Sequence, residues 1–459
     1  MLSGKLTITR AVLGWIVFNT ALGCSDSDSN DCITRTMTSV TTYETTLPQP
    51  TTTTPQPPGC TDSAVACPSA DSCPGWTDWK TYKAKNGVNL GGWLELERVF
   101  YPEWWDSVAP DAADEWTLCE SLGAECSRVL ENHYATYITT SDIDKVAAVG
   151  EFLTRFYRET ASLIVWPTGV EILRIPVTYA AFIEVPGSQL YHGSQLAYLR
   201  EITEYAISEY NMRIILGLHS LPGGVNTLDI GEALGHDDWF YNQTNLDYSY
   251  QAVEAVLDWI SDASKPEAFT FSPINEASDN IAGFGTPDTL TNNGTVWVVE
   301  YVRGAIDRVK KKLPCLPIMM QDCFMGEEHW SPYFGECDNV AMDVHIYYFA
   351  AAGIYSQYVP VAICGQAEGT VGDGKLPVFV GEWALQVLYN NSFAMREEIF
   401  NTQRYAWYKY LHGGTFWSIK HNSIAPVDGE GLQRDYWSYE GLIDEGVITP
   451  WDDNEVYCE

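Results

Sequence analysis

Short runs of apolar residues alternate with longer amphipathic segments from about residue 80 onward. The runs are nearly continuous in apolar residues, which is typical of strands covered on both faces. Between them, stretches such as YSYQAVEAVLDWISDA and VWVVEYVRGAIDRVKKKL predict helices, and the basic end of the second suits a helix C-terminus. The predicted strands are 87–96, 170–177, 213–220, 268–276, 316–323, 340–348, 376–383 and 413–420.

Strands that alternate with helical crossovers in this way predict an α/β fold, a (β/α)8 TIM barrel. The chain has 459 residues, enough for one barrel of that size with additional segments. We expect the catalytic barrel domain to occupy residues 80–459.

Three segments precede the predicted barrel. Residues 1–23 place Lys5 and Arg10 before a short apolar run, which is typical of a secretory signal peptide, with an uncleaved signal anchor as the alternative. Residues 24–59 form a Ser/Asp- and Thr/Pro-rich linker that cannot bury a core. It resembles a disordered, O-glycosylated stalk, although an unmodified flexible linker would have the same composition. Residues 60–79 form a Cys-rich lead-in.

Charge and cysteine content narrow the class of protein. The net charge of −35 argues against nucleic acid or an anionic membrane as partner, and it is compatible with a neutral substrate. Twelve cysteines without metal-ligand spacing predict disulfides rather than zinc, in a pairing that the sequence does not determine. Sequons at Asn242, Asn293 and Asn390 are glycosylation acceptors in an exported protein. We therefore expect a secreted, extracellular monomer.

Polar residues concentrate at the C-terminal ends of the predicted strands. In a TIM barrel these ends converge on one face, where active sites lie. A single residue such as His219 is more often structural than catalytic, but a set of them around one opening indicates a site. The residues are Arg174, His219, Asn275, Glu276, His345, Tyr347, Glu382 and Trp417.

Two of these residues, Glu276 and Glu382, are carboxylates about three βα units apart, so we expect them to face each other across the opening. Glycoside hydrolysis requires such a pair, because one carboxyl group protonates the leaving oxygen while the other attacks the anomeric carbon or activates water. His345 and Tyr347 are placed to hydrogen-bond a carboxylate. Three aromatic rings offer either sugar-stacking platforms or ordinary packing: Trp93, Trp383 and Trp417.

These motifs resemble glycoside hydrolase family 5, specifically its exo-β-1,3-glucanase (glucan 1,3-β-glucosidase) group. GVNLGGWLELE, LRIPVTYAAF, GLHSLPGGVN, INE, DVHIYYF, VGEW and GGTFWSIK follow in the family's order, and the resemblance covers roughly residues 80–450. It implies a retaining enzyme with Glu276 as acid/base and Glu382 as nucleophile, and with neither a metal nor an organic cofactor. It also implies a set of substrate-binding residues: Glu97, Arg174, His219, Asn226, Asn275, His345, Tyr347 and Trp417.

The chain departs from the family's pattern around the predicted opening. The family's NEP reads Asn-Glu-Ala here, with Ala277 in place of proline. Leu228 and Ala350 stand where the family has two aromatic residues, and Phe349 lies one position early. The predicted aromatic clamp is therefore weakened, which leaves the linkage and the chain-end mode open.

The chain also carries residues 151–168, about one helix more than the family has, as either a genuine surface helix or a translated intron.

We predict a secreted exo-β-1,3-glucanase that releases glucose from a β-glucan polysaccharide or oligosaccharide. The alternatives on the same barrel are an endo-β-1,3- or 1,6-glucanase, a cellulase-like enzyme and a transglycosylase. A different class of protein would be a non-catalytic, wall-associated glucan-binding glycoprotein with the Thr/Pro stalk as its attachment.

Overall fold

The structure is a computed structural model that describes residues 72–148 and 169–458. All of these residues belong to one compact unit. The predicted signal peptide, the linker, most of the Cys-rich lead-in and the additional segment 151–168 lie outside the described residues.

The strands form a closed parallel barrel in which each strand pairs with its neighbour in the chain and β8 pairs with β1. This closure confirms the predicted (β/α)8 TIM barrel. The strands are β1 Gly87–Asn89, β2 Ile172–Val177, β3 Arg213–Leu218, β4 Phe269–Ser272, β5 Ile318–Gln321, β6 Val340–Ile346, β7 Val378–Trp383 and β8 Gly414–Phe416.

Several strands are shorter than the apolar runs that predicted them, because the chain turns into the barrel opening early. After β4, Pro273 has no N–H to donate to the ladder, and the run continues as a loop to Glu276. After β1, Gly92 adopts a φ of +71°, which favours glycine and turns the chain away. Arg174, predicted at a strand end, instead lies in the middle of β2, paired with Asn89 of β1.

Helices cover the outside of the barrel. Two of them begin earlier than predicted, because the side chains of Asn242 and Thr291 accept hydrogen bonds from the first turns and cap them. In the described residues the helices are α1 Pro102–Val108, α2 Glu115–Leu122, α3 Cys126–Tyr137, α4 Thr140–Ala147, α5 Gln195–Tyr210, α6 Gln243–Ser261, α7 Asn292–Lys312, α8 Glu327–Trp330, α9 Val359–Thr370, α10 Arg396–Tyr410, α11 Arg434–Trp437 and α12 Tyr439–Asp444.

The interior of the barrel changes character along its axis. One layer is apolar and consists of Ile172, Ile215, Met319, Ala341 and Phe379, packed on Trp79. Side chains two residues apart lie on the same face of a strand. The next inward-facing layer towards the opening is therefore formed by the residues two positions further along each strand. That layer contains the buried polar residues Arg174, Gln321 and Asp343.

Disulfides join Cys73 to Cys315, Cys119 to Cys126 and Cys364 to Cys458, which confirms the prediction of disulfide bonds. Cys323 is free and buried. No helix within residues 72–148 and 169–458 combines the length and the apolar character needed to cross a membrane.

Candidate active site

Arg174 is the centre of the polar layer. Its guanidinium is buried and donates from Nε to Asp343 Oδ2 at 3.1 Å and from Nη1 to Glu382 Oε1 at 2.8 Å. It also donates to Asn89 Oδ1 at 3.1 Å and to Asn275 Oδ1 at 3.0 Å. The fixed fork of five N–H donors thus connects strands β1, β6 and β7 with the loop after β4.

Glu382 is the second-to-last residue of β7 and is buried. Besides Arg174, the hydroxyl of Tyr347 donates to its Oε2 at 2.8 Å, and His345 Nδ1 lies 3.4 Å from the same oxygen. Burial raises the pKa of the Glu382 carboxyl, and the charges of His345 and Arg174 oppose that rise. Both oxygens of the Glu382 carboxyl group accept hydrogen bonds, Oε1 from Arg174 and Oε2 from Tyr347.

Glu276 lies in the loop after β4 and has a φ of +45°, in the left-handed region. Its backbone is held on both sides, since its N–H donates to Gln321 Oε1 at 3.0 Å and its carbonyl accepts from Asn226 Nδ2 at 3.1 Å. Its Oε1 lies 2.6 Å from His345 Nδ1. The loop thus delivers the side chain to the same opening as Glu382.

His345 connects the two carboxylates. Burial lowers the pKa of this imidazole, but the charge of Glu382 and hydrogen bonds to Asp343 and Glu276 outweigh it and raise the pKa to about 10. Its Nε2 faces Asp343 Oδ1 at 3.7 Å, and Arg174 Nη2 approaches the same nitrogen at 3.3 Å. A protonated His345 carries the positive charge that lets two carboxylates share one opening.

The same three side chains are the group most suited to a metal ion in the described residues. Donor atoms of Glu276, His345 and Glu382 all lie within 4.8 Å of one another. However, a protonated imidazole has no lone pair for a metal, and its Nδ1 already lies 2.6 Å from Glu276 Oε1 and 3.4 Å from Glu382 Oε2. The chemistry of these donors favours an ion-pair cluster.

Other predicted sugar-binding residues surround this cluster. The His219 ring lies parallel to Trp417, with centroids 5.9 Å apart, and its Nε2 lies 3.2 Å from Asn275 Nδ2. Burial lowers the pKa of His219 well below its usual value, and Arg174 adds to this, so the ring is neutral. Trp417, His219 and Asn275 form one wall next to the carboxylates.

Glu97 lies in the loop after β1 and is half-buried. Burial raises the pKa of its carboxyl well above the usual value, and the charge of Asp229 adds to the rise, followed by those of Glu382, Glu95 and Glu276. Its Oε1 is buried and has no hydrogen-bond partner among the described residues. A protonated carboxyl group with a free oxygen can exchange hydrogen bonds with a sugar hydroxyl.

The structure defines the surroundings of three further candidate residues. Asn226 is buried, and its amide contacts the carbonyl of Glu276 and the N–H of Leu228, so it supports the loop. Trp93 and Trp383 are not platforms, because Trp93 is buried and donates to Tyr134 O, while Trp383 is buried against Phe400 and Phe416. Of the three aromatic candidates, Trp417 lies beside the carboxylates.

Sequence reasoning missed three buried residues that hold the site together: Asn89, Gln321 and Asp343. A signal for two of them exists, since Gln321 and Asp343 lie two positions after the buried Met319 and Ala341 on the inward face of their strands. The position of Asp343 also explains why residue 381 is a glycine, because a Cβ there would lie 1.8 Å from Asp343 Oδ1.

Aromatic rings line the outer part of the opening in an arrangement different from the expected clamp. Phe349 packs against Tyr347 and Trp437, each with ring centroids 5.3 Å apart, on the side of Glu382. The ring of Phe324 lies 6.4 Å from that of His345, which contacts both carboxylates. Leu228 and Ala350 contribute no ring, so the rings nearest to the residues that contact the carboxylates come from Phe349 and Phe324.

Comparison with known proteins gives two sets of relatives. The family model described as "Cellulase (glycosyl hydrolase family 5)" matches residues 158–425. The "Probable glucan 1,3-beta-glucosidase A" of Aspergillus niger is 29% identical over 308 residues, 66% of this chain and 66% of that protein. Its counterpart from Aspergillus fumigatus is 27% identical over 65% of this chain and 64% of that protein. The chain thus spans slightly less than two thirds of the length of these curated relatives.

Two solved structures are more similar in sequence. The rutinosidase from Aspergillus niger is 44% identical with a TM-score of 0.76, and the match covers 82% of this chain and 100% of that one. A protein named AoRut is 46% identical with a TM-score of 0.75, over 81% of this chain and 98% of that one.

Proposed function

Because the chain belongs to glycosyl hydrolase family 5 and is an O-glycosyl hydrolase, we propose that it cleaves a β-glycosidic bond with retention of configuration. The observation that carries the proposal is that an oxygen of Glu276 and one of Glu382 lie within 4.8 Å of each other. Carboxyl groups about 5–5.5 Å apart are typical of retaining enzymes, whereas inverting enzymes separate them by about 6.5–9.5 Å.

The surroundings of the two carboxylates suggest their roles. Glu382, paired with Arg174 and Tyr347, is the nucleophile that attacks the anomeric carbon. Glu276 donates a proton to the leaving oxygen and then removes a proton from the water that hydrolyses the glycosyl-enzyme. Since His345 occupies Oε1 of Glu276, Oε2 is the oxygen available to carry that proton.

The first candidate substrate is a β-1,3-glucan cleaved from its chain end, as the names of the curated relatives suggest. A buried opening walled by His219, Asn275 and Trp417 suits a terminal sugar. We include oligosaccharides, and we keep the endo-acting and transglycosylating alternatives as outcomes of the substrate test.

A second candidate is a rutinoside, a glucoside whose glucose carries a rhamnose on O6. It is favoured by the higher identity to the rutinosidase, 44% over the whole of that chain, against 29% to the glucan 1,3-beta-glucosidase. The replacement of clamp aromatics by Leu228 and Ala350 also favours a leaving group other than the next glucose of a glucan.

Assays on laminarin, pustulan, carboxymethylcellulose and rutin separate these substrates. Release of single glucose units from laminarin supports the exo-glucanase, and a ladder of oligomers contradicts it. Release of a disaccharide from rutin, without hydrolysis of laminarin, would identify a rutinoside and not a glucan as the substrate.

Azide tests the assignment of the two carboxylates. With a 2,4-dinitrophenyl β-glycoside and azide, Glu276→Ala should yield the β-glycosyl azide, since azide attacks the glycosyl-enzyme. Glu382→Ala should yield the α-glycosyl azide, because azide then replaces the nucleophile. Equal product configurations in the two variants, measured by proton NMR, would overturn the assignment.

We also propose that the protein is exported and acts as an extracellular monomer, with the Thr/Pro-rich linker available for attachment to a cell wall. The disulfides within the barrel domain support an oxidising compartment. Sequencing the N-terminus of protein recovered from culture medium tests the export, and a retained Met1 in the cell fraction would contradict it.

A further inference from the structure

Two neighbouring turns at the barrel opening adopt left-handed backbone conformations without glycine. Glu276 after β4 has a φ of +45°, and Cys323 and Phe324 after β5 have φ values of +49° and +58°. Residues other than glycine rarely adopt this backbone conformation, so contacts with neighbouring residues must hold these three residues in it.

Gln321, the last residue of β5, provides such contacts for both turns. Its side chain is fully buried, and its Oε1 accepts from Glu276 N at 3.0 Å and from Cys323 N at 2.8 Å. Because two backbone N–H groups point at one atom, that atom is the amide oxygen. The Nε2 group donates to Asp322 Oδ1 at 3.3 Å.

The contact is specific to the backbone of Glu276. Its amide is held by Gln321 and its carbonyl by Asn226 Nδ2 at 3.1 Å, so the peptide groups on both sides of its Cα are fixed. Fixing the backbone sets the direction of the Cα–Cβ bond, and therefore the position from which the carboxyl group reaches the leaving oxygen. A glutamine does this without adding a charge beside the carboxyl group.

We propose that Gln321 is a positioning residue that sets the reach of Glu276 during proton transfer. The inference rests on the proposed function, because it takes Glu276 as the acid/base. A carboxyl group displaced by about 1 Å loses much of its effect, on the order of 10²-fold. Gln321 does not contact the substrate, and it acts through the backbone of Glu276.

The dependence of the rate on the leaving group tests this role. A 2,4-dinitrophenolate leaves without protonation, whereas an alkoxide or sugar oxygen needs the acid. We expect Gln321→Met, which keeps the volume but removes the acceptor, to lower kcat/KM for an alkyl β-glycoside by about 10²-fold. For the 2,4-dinitrophenyl glycoside of the same sugar, we expect kcat/KM of the variant to stay within about threefold of the wild-type value. Azide should raise kcat of this variant on the dinitrophenyl substrate, because azide needs no general base.

Matched variants separate positioning from general damage. Gln366→Met, on α9 and bonded to Thr370, should leave both substrates at the wild-type rate. Gln321→Glu keeps an oxygen acceptor for the two N–H groups but adds a charge. Its ratio of kcat/KM on the two substrates should therefore lie closer to that of the wild type than the ratio for Gln321→Met does. If Gln321→Met does not fold, Gln321→Asn, which withdraws the oxygen, should show the same preference to a smaller degree.

Equal losses on both leaving groups would mean that Gln321 is only structural and would overturn the inference. So would an unchanged rate on the alkyl glycoside. Glu276→Ala serves as the reference in the same assay. If Glu276→Ala itself loses both substrates equally, the proposed function fails. If it shows the leaving-group dependence and Gln321→Met does not, the present inference alone fails.

Discussion

Glu276 and Glu382 are identical side chains at one barrel opening, yet the protein holds them by different means. Glu382 lies within β7, and its carboxylate accepts hydrogen bonds from a guanidinium and a tyrosine hydroxyl. Glu276 lies in a left-handed turn after β4, and neutral amides of Gln321 and Asn226 hold its backbone. An arginine and a tyrosine bonded to one carboxylate, and backbone contacts that position the other, suit a nucleophile and a proton donor.

Removing the guanidinium should have the largest effect, because Arg174 is on the Glu382 side of this comparison and also neutralises Asp343. Arg174→Met leaves a buried carboxylate without its partner, which should cost about 3–5 kcal/mol in free energy of unfolding. We expect kcat/KM to fall by about 10²–10³-fold as well, as when a preorganised donor is lost. Urea denaturation and steady-state kinetics measure the two effects.

The matched control is Arg128→Met on α3, whose exposed pair with Glu125 should contribute within about 1 kcal/mol. If Arg174→Met is no less stable and no less active than Arg128→Met, Asp343 and Glu382 do not depend on the guanidinium, and the contrast with Glu276 disappears.

His345 is the contact that both carboxylates share, and its charge predicts a pH dependence of stability. Its pKa is raised to about 10 in the folded protein, so its contribution to folding is complete below the ordinary value near 6.5 and declines as pH rises through 10. The difference in unfolding free energy between the wild type and His345→Gln should therefore shrink from pH 6.5 to pH 10 by a few kcal/mol. A constant difference over this range would identify a neutral imidazole that accepts from Arg174.

The fold was more predictable than the site, for physical reasons that particular residues illustrate. Continuous apolar runs identified each strand, because both faces of a barrel strand are covered. Strand ends were less predictable, since Pro273 and Gly92 stop the ladder inside an apolar run. The fully buried Trp93 shows that a strand-end ring can point away from the opening.

The supporting residues of the site show a second limit. Asp343 and Gln321 were missed, although each lies on the inward face of its strand, two positions after Ala341 of β6 and Met319 of β5. The role of Asn226 was not accessible from the sequence, because it depends on where one loop crosses another. Those contacts exist only once the chain has folded.

Tyr347 sharpens the comparison, because it donates to Glu382 and not to Glu276. A hydrogen bond to a charged group contributes about 1.5–3 kcal/mol, so Tyr347→Phe should lower kcat/KM by about 10–100-fold. The neighbouring Tyr348→Phe is the matched control, since the Tyr348 hydroxyl has no partner within the described part of the chain. We expect that variant to retain wild-type kinetics. Equal losses in the two variants would show that the ring packing, not the hydrogen bond, matters.

The smallest effect concerns Gly381, which gives Asp343 the space to hold Arg174 beside Glu382. A Cβ at Gly381 would meet Asp343 Oδ1 at 1.8 Å, so Gly381→Ala should lower the free energy of unfolding by about 1–3 kcal/mol. Gly365→Ala, within α9 and with nothing within 4 Å of its Cβ, should instead stabilise by about 0.5–1 kcal/mol. Denaturation of both variants should show these opposite signs. If Gly381→Ala also stabilises, Asp343 can move freely, and the anchored surroundings of Glu382 are less rigid than the backbone contacts that hold Glu276.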